Sequence, residues 1–244
     1  MNIGVIFAGG VGARMRSKEK PKQFLDIYGK PIIVHTIEHF ENNNEIDAVV
    51  VVCVEDWISH FKHLVESYHL EKVKMVVPGG KTGQLSIYAG LKAAETVANG
   101  EDAIVLIHDG VRPLINSNLL SQNIMCVKKY NSAITSAIVK ETIAEIDDEG
   151  NVKSIPSRKH SRVAKAPQSF WLKDILSMHE RALQEGITDF IDSCTMMSHY
   201  GFSLYMLDGP YENIKITTPD DFYTMRAILE AKENEQIYGL DSES

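Results

Sequence analysis

What most constrains the fold is a change of hydrophobic period that repeats from Ile3 to Lys140. "IGVIFAG" is followed by "PIIVHTIEHFENN", and "IDAVVVVCV" by "WISHFKHLVESYH". Next "VKMVVPGG" leads to "LSIYAGLKAAETVA", and "AIVLIHDG" to "LLSQNIMCVKKY", before "SAITSAIVK" closes the series. Short β-branched runs bounded by glycine and alternating with helical patterns imply strands buried on both faces and joined by helical crossovers. The pattern predicts an α/β fold: a doubly wound, mostly parallel sheet in a single domain over 1–244. Such sheets bind ligands beyond the carboxyl ends of their strands. The glycine-rich and charged residues after "IGVIFAG", "VKMVVPGG" and "AIVLIHDG" lie at those ends.

One stretch breaks the pattern. "VKETIAEIDDEGNVKSIPSR" has strand-like flanks around "DDEGN", a hairpin turn signal, and predicts a projecting β-arm at about 138–158. An arm with so little core of its own is expected to pack on a second subunit. The polar tail at about 233–244 is expected to fray.

A net charge of −8 speaks against nucleic-acid or anionic-membrane partners, which need a basic face. The apolar run near the N-terminus is too short for a secretion signal, and "AVVVVCV" falls far short of the roughly 20 residues that span a bilayer. Cys53, Cys126 and Cys194 are widely separated and lack metal spacing. They read as reduced, mostly buried thiols of a cytoplasmic protein.

Three phosphate or metal motifs fail on residues. G-x-G-x-x-G starting at Gly10 would need glycine where Met15 stands. "GGKTG" imitates the end of a P-loop, but the required earlier glycine is Met75, and Pro78 with two glycines is expected to keep the stretch extended rather than opening a helix. "HTIEH" sets His35 and His39 one helical turn apart without the H-E-x-x-H order, which suits two solvated or half-buried histidines.

What survives is a strand, then "AGGVGARM", then "PKQF". Gly9, Gly10 and Gly12 let backbone amides approach a triphosphate with no Cβ in the way. Arg14 and Lys22 bring charge to phosphate oxygens. A tight turn with solvated cations is the bland alternative, and three glycines plus two cations after an apolar strand weigh against it. With "HDGVRP", "KETI", "IPSR" before "APQSF", and "ENIKITTPDDF" following in order, the chain resembles the cytidylyltransferases that attach CMP to polyol phosphates. That family includes enzymes for methylerythritol 4-phosphate and for ribitol 5-phosphate, and the resemblance extends over nearly the whole chain.

The resemblance implies a Rossmann-like nucleotidyltransferase that needs Mg2+. It implies that Ala8, Gly9, Gly10 and Gly12 wrap CTP, and that Gly80 and Ser86 contact its cytidine part. Arg14, Lys22 and Lys215 become the catalytic cations on its phosphates. Asp109 matches the carboxylate that helps hold Mg2+, with Arg112 supporting the same loop. A carboxylate at a strand end beside a triphosphate suits magnesium, although a turn at Asp109-Gly110 with Arg112 as its ion-pair partner reads the same residues. Thr142 and Arg158 match positions that grip the acceptor phosphate; being on the arm, they are expected to complete the neighbouring site of a homodimer. Asp192 matches an acidic residue near the acceptor hydroxyls, and a helix N-cap before "SCTMM" explains it equally well.

Chemically, an acceptor phosphate is already an anion, so no general base is needed to attack the α-phosphorus of CTP and release pyrophosphate. Gly83 departs from the family by standing where an arginine is usual, with Lys81 the nearby cation. "DWISH" at 56–60, the eight-residue step from Arg14 to Lys22, and "HDGVRP" favour the ribitol branch, and Ser198 replaces an acidic residue of the methylerythritol branch. The expectation is CMP transfer to D-ribitol 5-phosphate, in cell wall or capsule polysaccharide synthesis. The alternatives are methylerythritol 4-phosphate cytidylyltransferase of isoprenoid synthesis and, in a different class, a non-catalytic nucleotide-binding module.

Overall fold

The computed structural model describes residues 1–9 and 20–238. In chain order the strands are β1 (Asn2–Ala8), β2 (Asp26–Ile27), β3 (Lys30–Pro31), β4 (Ala48–Cys53), β5 (Val73–Pro78), β6 (Ile104–Asp109), β7 (Ser132–Ile138), β8 (Glu145–Ile146), β9 (Val152–Ser154), β10 (Arg162–Trp171) and β11 (Met206–Asp208). The α-helices are α1 (Ile32–Glu41), α2 (Ile58–Ser67), α3 (Gly83–Ala98), α4 (Ser117–Tyr130), α5 (Leu172–Gln184), α6 (Ser193–His199) and α7 (Pro219–Tyr238).

Seven strands form one sheet in the order β11-β7-β10-β6-β1-β4-β5. β1 lies inside it, with Val5 opposite Val50 of β4 and Ile107 of β6, both in parallel pairing. Every residue of β4 and β6 is buried, as expected of parallel strands covered on both faces. The exception is β10, which runs antiparallel between β6 and β7. Its first residues therefore lie at the same edge of the sheet as the carboxyl end of β6.

The two faces carry separate cores. Ile33, Ile37, Phe40, Phe61 and Ile124 pack under α1, α2 and α4, while Ile87, Leu91, Ile175 and Met196 pack under α3, α5 and α6. Helix α3 approaches the sheet closely at Gly90, where a Cβ would sit 2.7 Å from Val5 and 2.8 Å from Val52. A third cluster of Ile27, Ile32, Val111, Ile216 and Met225 seats α7 against the turn after β6. Asp221 fixes the start of α7 by accepting from the amides of Thr217 and Thr218, at 2.8 and 2.7 Å.

The arm leaves at the end of β7 and returns at the start of β10. β8 and β9 pair as a separate antiparallel ribbon, closed by Asp147, which accepts from the amides of Glu149 and Asn151, with Gly150 at φ +89°. Ile143, Ile146, Val152 and Ile155 on this arm are exposed. α7 runs into the polar tail as far as Tyr238, and 239–244 lie outside the described residues. Among the described residues, no helix is long and apolar enough to cross a membrane.

Candidate active site

Three chain segments meet at the carboxyl end of the sheet's centre. The first follows β1. Gly10, Gly12 and Arg14, the middle of the expected phosphate loop, lie outside the described residues; Ala8 and Gly9 precede them, and the chain is described again from Lys20. The "KQF" turn at Lys22–Phe24 is anchored twice. Gln23, buried, donates to the Ala8 carbonyl at 2.6 Å, and Phe24 stacks on Trp57 with ring centres 4.9 Å apart. Those anchors orient Lys22, whose Nζ donates to the Ile216 carbonyl at 3.0 Å.

The second and third segments are the turn after β6 and the stretch before α7. The Ile216 amide donates to the Val111 carbonyl at 3.0 Å, which sets Lys215 against β6. Lys215 Nζ lies 2.5 Å from Asp109 Oδ1, and Arg112 Nε lies 2.7 Å from Oδ2. The Asp109 side chain is only 7% exposed, whereas that of Lys215 is 41% exposed. Burial pushes the Asp109 carboxyl up, but Lys215 and Arg112 outweigh it and hold the group below its ordinary value. Asp109 is thus an ionised carboxylate at the strand end, as the motif suggested, and Arg112 is its ion-pair partner as well. Arg112 also donates to the Asn213 carbonyl at 3.1 Å.

Asp109, Arg112 and Lys215 line a cleft of about 310 Å3, together with Phe7, Gly83 and Asp192. Asp192 caps α6, accepting from the Thr195 amide at 2.8 Å, and it also lines the cleft. Gln168 ties it to β10, donating to Asp192 Oδ2 at 3.2 Å and accepting from the Cys194 amide at 2.8 Å. Burial raises the Asp192 carboxyl, and the hydrogen bonds from Thr195, Gln168 and Cys194 more than reverse this.

The "GGKTG" stretch corrects one expectation. It does open a helix, because Thr82 accepts from the Leu85 amide at 3.2 Å as the N-cap of α3. The P-loop reading still fails at Met75. Ser86 Oγ accepts from the Gly80 amide at 3.0 Å, so these two residues shape the turn, while Gly83 is the member of the stretch that lines the cleft. A Cβ on Gly83 would meet nothing within 4 Å, and Lys81 is exposed outside the cleft lining.

Thr142 and Arg158 are brought together on the arm, with Arg158 Nη2 donating to Thr142 Oγ1 at 3.3 Å. Both are exposed, and neither lines the cleft of its own chain. His35 and His39 bond the carbonyls of Ile27 and Pro113, and the described residues contain no cluster of three or more metal-ligating side chains. Cys53, Cys126 and Cys194 are free thiols; burial pushes Cys53 to about 11 and, with the Asp192 charge, Cys194 to about 12. Lys165 is a cleft residue that the sequence pattern did not single out. Its motif neighbours "APQSF" were the available signal, but nothing in them said which way a lysine in an unrecognised antiparallel strand would face.

Residues 3–231 match the IspD family, 2-C-methyl-D-erythritol 4-phosphate cytidylyltransferase. A ribitol-5-phosphate cytidylyltransferase of Streptococcus agalactiae is 59% identical over 98% of this chain and 100% of its own length. A 2-C-methyl-D-erythritol 4-phosphate cytidylyltransferase of Clostridium botulinum is 37% identical over 94% of this chain and 97% of its own. The crystal structure of 4-diphosphocytidyl-2C-methyl-D-erythritol synthase from Anaerococcus prevotii superposes with a TM-score of 0.81 at 28% identity, covering 94% of this chain and 96% of that one.

Proposed function

Because the chain belongs to the 2-C-methyl-D-erythritol 4-phosphate cytidylyltransferase family, we propose that it transfers CMP from CTP to D-ribitol 5-phosphate, giving a CDP-polyol and pyrophosphate. The ribitol acceptor rests on the 59% identity, over nearly the full length of both chains, to an enzyme named for that substrate, against 37% for one named for methylerythritol 4-phosphate. The observation that carries the chemistry is the gathering of Lys215, Arg112 and Asp109 at the cleft, with Lys22 tied to the same segment through Ile216.

An oxygen of the acceptor phosphate attacks the α-phosphorus of CTP. The bond from that phosphorus to the bridging β-oxygen breaks, and pyrophosphate leaves with the electron pair. The acceptor is an anion before it reacts, so the protein has no proton to remove. Its tasks are alignment and neutralisation of the charge that builds on the phosphoryl oxygens. Lys215, which lines the cleft, and Lys22, Arg14 and Arg112 supply that charge. The nucleotide is assigned to Ala8, Gly9, Gly10 and Gly12 and to the turn at Gly80–Ser86. Asp109, a hard ionised carboxylate at the strand end, would hold a magnesium ion beside the triphosphate. Mg2+ bound there neutralises triphosphate charge and polarises the reacting phosphoryl group.

Asp192, facing the cleft, is assigned to the acceptor hydroxyls. Thr142 and Arg158 are assigned to the acceptor phosphate of a second subunit, because they pair with each other away from their own cleft, on an arm whose exposed isoleucines suit a homodimer interface. The reaction belongs in the cytoplasm, where CTP is available. The test is pyrophosphate release with CTP, ATP and GTP against a panel of polyol phosphates in the presence of Mg2+. Turnover is expected with CTP and D-ribitol 5-phosphate; equal rates with a purine triphosphate, or preference for methylerythritol 4-phosphate, overturn the respective half of the assignment.

A further inference from the structure

Lys165 reaches the cleft because β10 interrupts its own alternation. In a regular strand successive side chains face opposite sides, yet Ala164, Lys165, Ala166 and Gln168 all line the cleft. The register against β7 shifts between Ala164 and Gln168, and an irregularity of this kind re-aims the side chains within it. The Lys165 ammonium is then held from one side. It donates to the Tyr211 carbonyl at 2.7 Å and lies 5.1 Å from the centre of the Tyr211 ring. Lys140 occupies the same ring, 3.4 Å from its centre.

This is a crowd of like charge. Burial, then Arg112 and Lys140, lower the pKa of Lys165, with Glu212 opposing them. Among the described residues Lys165 has a carbonyl and a ring for partners and no carboxylate ion pair. Cations gathered at a half-buried site repel one another, and a bound anion relieves that repulsion. The same cleft also carries Asp192, a carboxylate that suits alcohols and repels phosphate. The lining therefore combines an ammonium suited to an anion with a carboxylate suited to hydroxyl groups, and anion and hydroxyls are the two halves of a polyol phosphate.

We propose that Lys165 is a further acceptor-binding residue, its ammonium taking an oxygen of the acceptor's phosphate while Asp192 faces the acceptor's hydroxyls. The inference rests on the polyol-phosphate reading above and adds to it a contact from the same chain. With one N–H on the Tyr211 carbonyl, the ammonium keeps two donors for phosphate oxygens.

The experiment measures KM for CTP and for the polyol phosphate that the substrate panel selects, in wild type, Lys165→Met and Lys165→Arg. Loss of a charge-assisted hydrogen bond raises the acceptor KM on the order of 10- to 100-fold, with CTP KM and Tm at wild-type values, and Lys165→Arg recovers most of the loss. Inorganic phosphate competing with the acceptor weakens by the same factor in Lys165→Met, while the neutral polyol competes as in wild type. An unchanged acceptor KM in Lys165→Met overturns the proposal, and so does weakened competition by the polyol with phosphate unaffected. Should Lys165→Met fold poorly by its Tm, the same measurements on Lys165→Gln decide the question in the same way. A wild-type protein inactive with every polyol phosphate overturns the parent reading, and this contact with it; an active wild type with an insensitive Lys165 overturns the contact alone.

Discussion

Replacing Asp109 by asparagine removes the negative charge between Lys215 and Arg112, leaving two cations adjacent and taking away the ionised ligand assigned to Mg2+. The expected outcome is a fall in kcat on the order of 10²–10³, with a higher Mg2+ concentration needed for half-maximal rate; wild-type values of both in a Mg2+ titration remove Asp109 from the mechanism. His179 makes a different kind of prediction. It is 1% exposed, stacks on Tyr88, and burial lowers its pKa to about 4. As pH falls below the ordinary value of 6.5, the unfolded chain takes up a proton that the folded chain refuses. Stability is therefore lost between pH 6.5 and about 4, by roughly 3 kcal/mol for such a group, and the loss levels off below. His179→Phe keeps a ring against Tyr88 and removes the titration, so urea unfolding from pH 7 to 4 should show a shallower acid slope than wild type. An unchanged slope means that His179 is protonated in the folded state. Side chains of this kind show why some of the site was legible and some was not. Asp109 and Arg112 sit in "HDGVRP" and Lys215 in "NIKIT", motifs that single them out, and the three meet at the cleft. Lys165 owes its place to a register shift against β7, which leaves no periodic trace in the sequence.

At the scale of elements, the parallel strands were readable because burial on both faces forces unbroken runs such as "AVVVVC". The hairpin turn at "DDEGN" was readable because Gly150 takes a positive φ and Asp147 bonds the turn amides. β10 was not: "RVAKAPQSFW" is exposed at its first residues and mostly buried at the rest, so it carries neither strand signature throughout. The start of α3 was misjudged because two glycines outweighed Thr82, whose hydroxyl accepts from the Leu85 amide and donates to the Thr188 carbonyl. That hydroxyl ties the turn before Gly83 to the segment leading to Asp192. Thr82→Ala is expected to cost about 1 kcal/mol of stability and to raise KM for CTP by loosening the Gly80–Ser86 turn. Chemical denaturation together with the CTP dependence of the rate checks it; an unaltered midpoint shows that other contacts set the turn.

At the scale of the whole molecule, the arm makes the most exposed prediction. If it completes the neighbouring cleft, mixing Arg158→Ala with Lys22→Ala restores part of the activity, since one site of each heterodimer carries both lesions and the other neither. Statistical exchange makes half the dimers hybrid, so recovery approaches about a quarter of wild type by two-fold symmetry. Verified exchange with no recovery means that Arg158 acts within its own chain, or not on the acceptor at all. The interior position of β1 has a separate consequence. β1 pairs with residues 48–53 and 104–109, and Lys22 bonds a carbonyl 194 positions further along the chain. A ribosome releases the first wall of the cleft long before it makes the last. A chain that ends before Lys215 cannot hold the assembled site, and such long-range closure is slow. Regained turnover during refolding therefore reports the last step of folding and lags behind the return of helical signal.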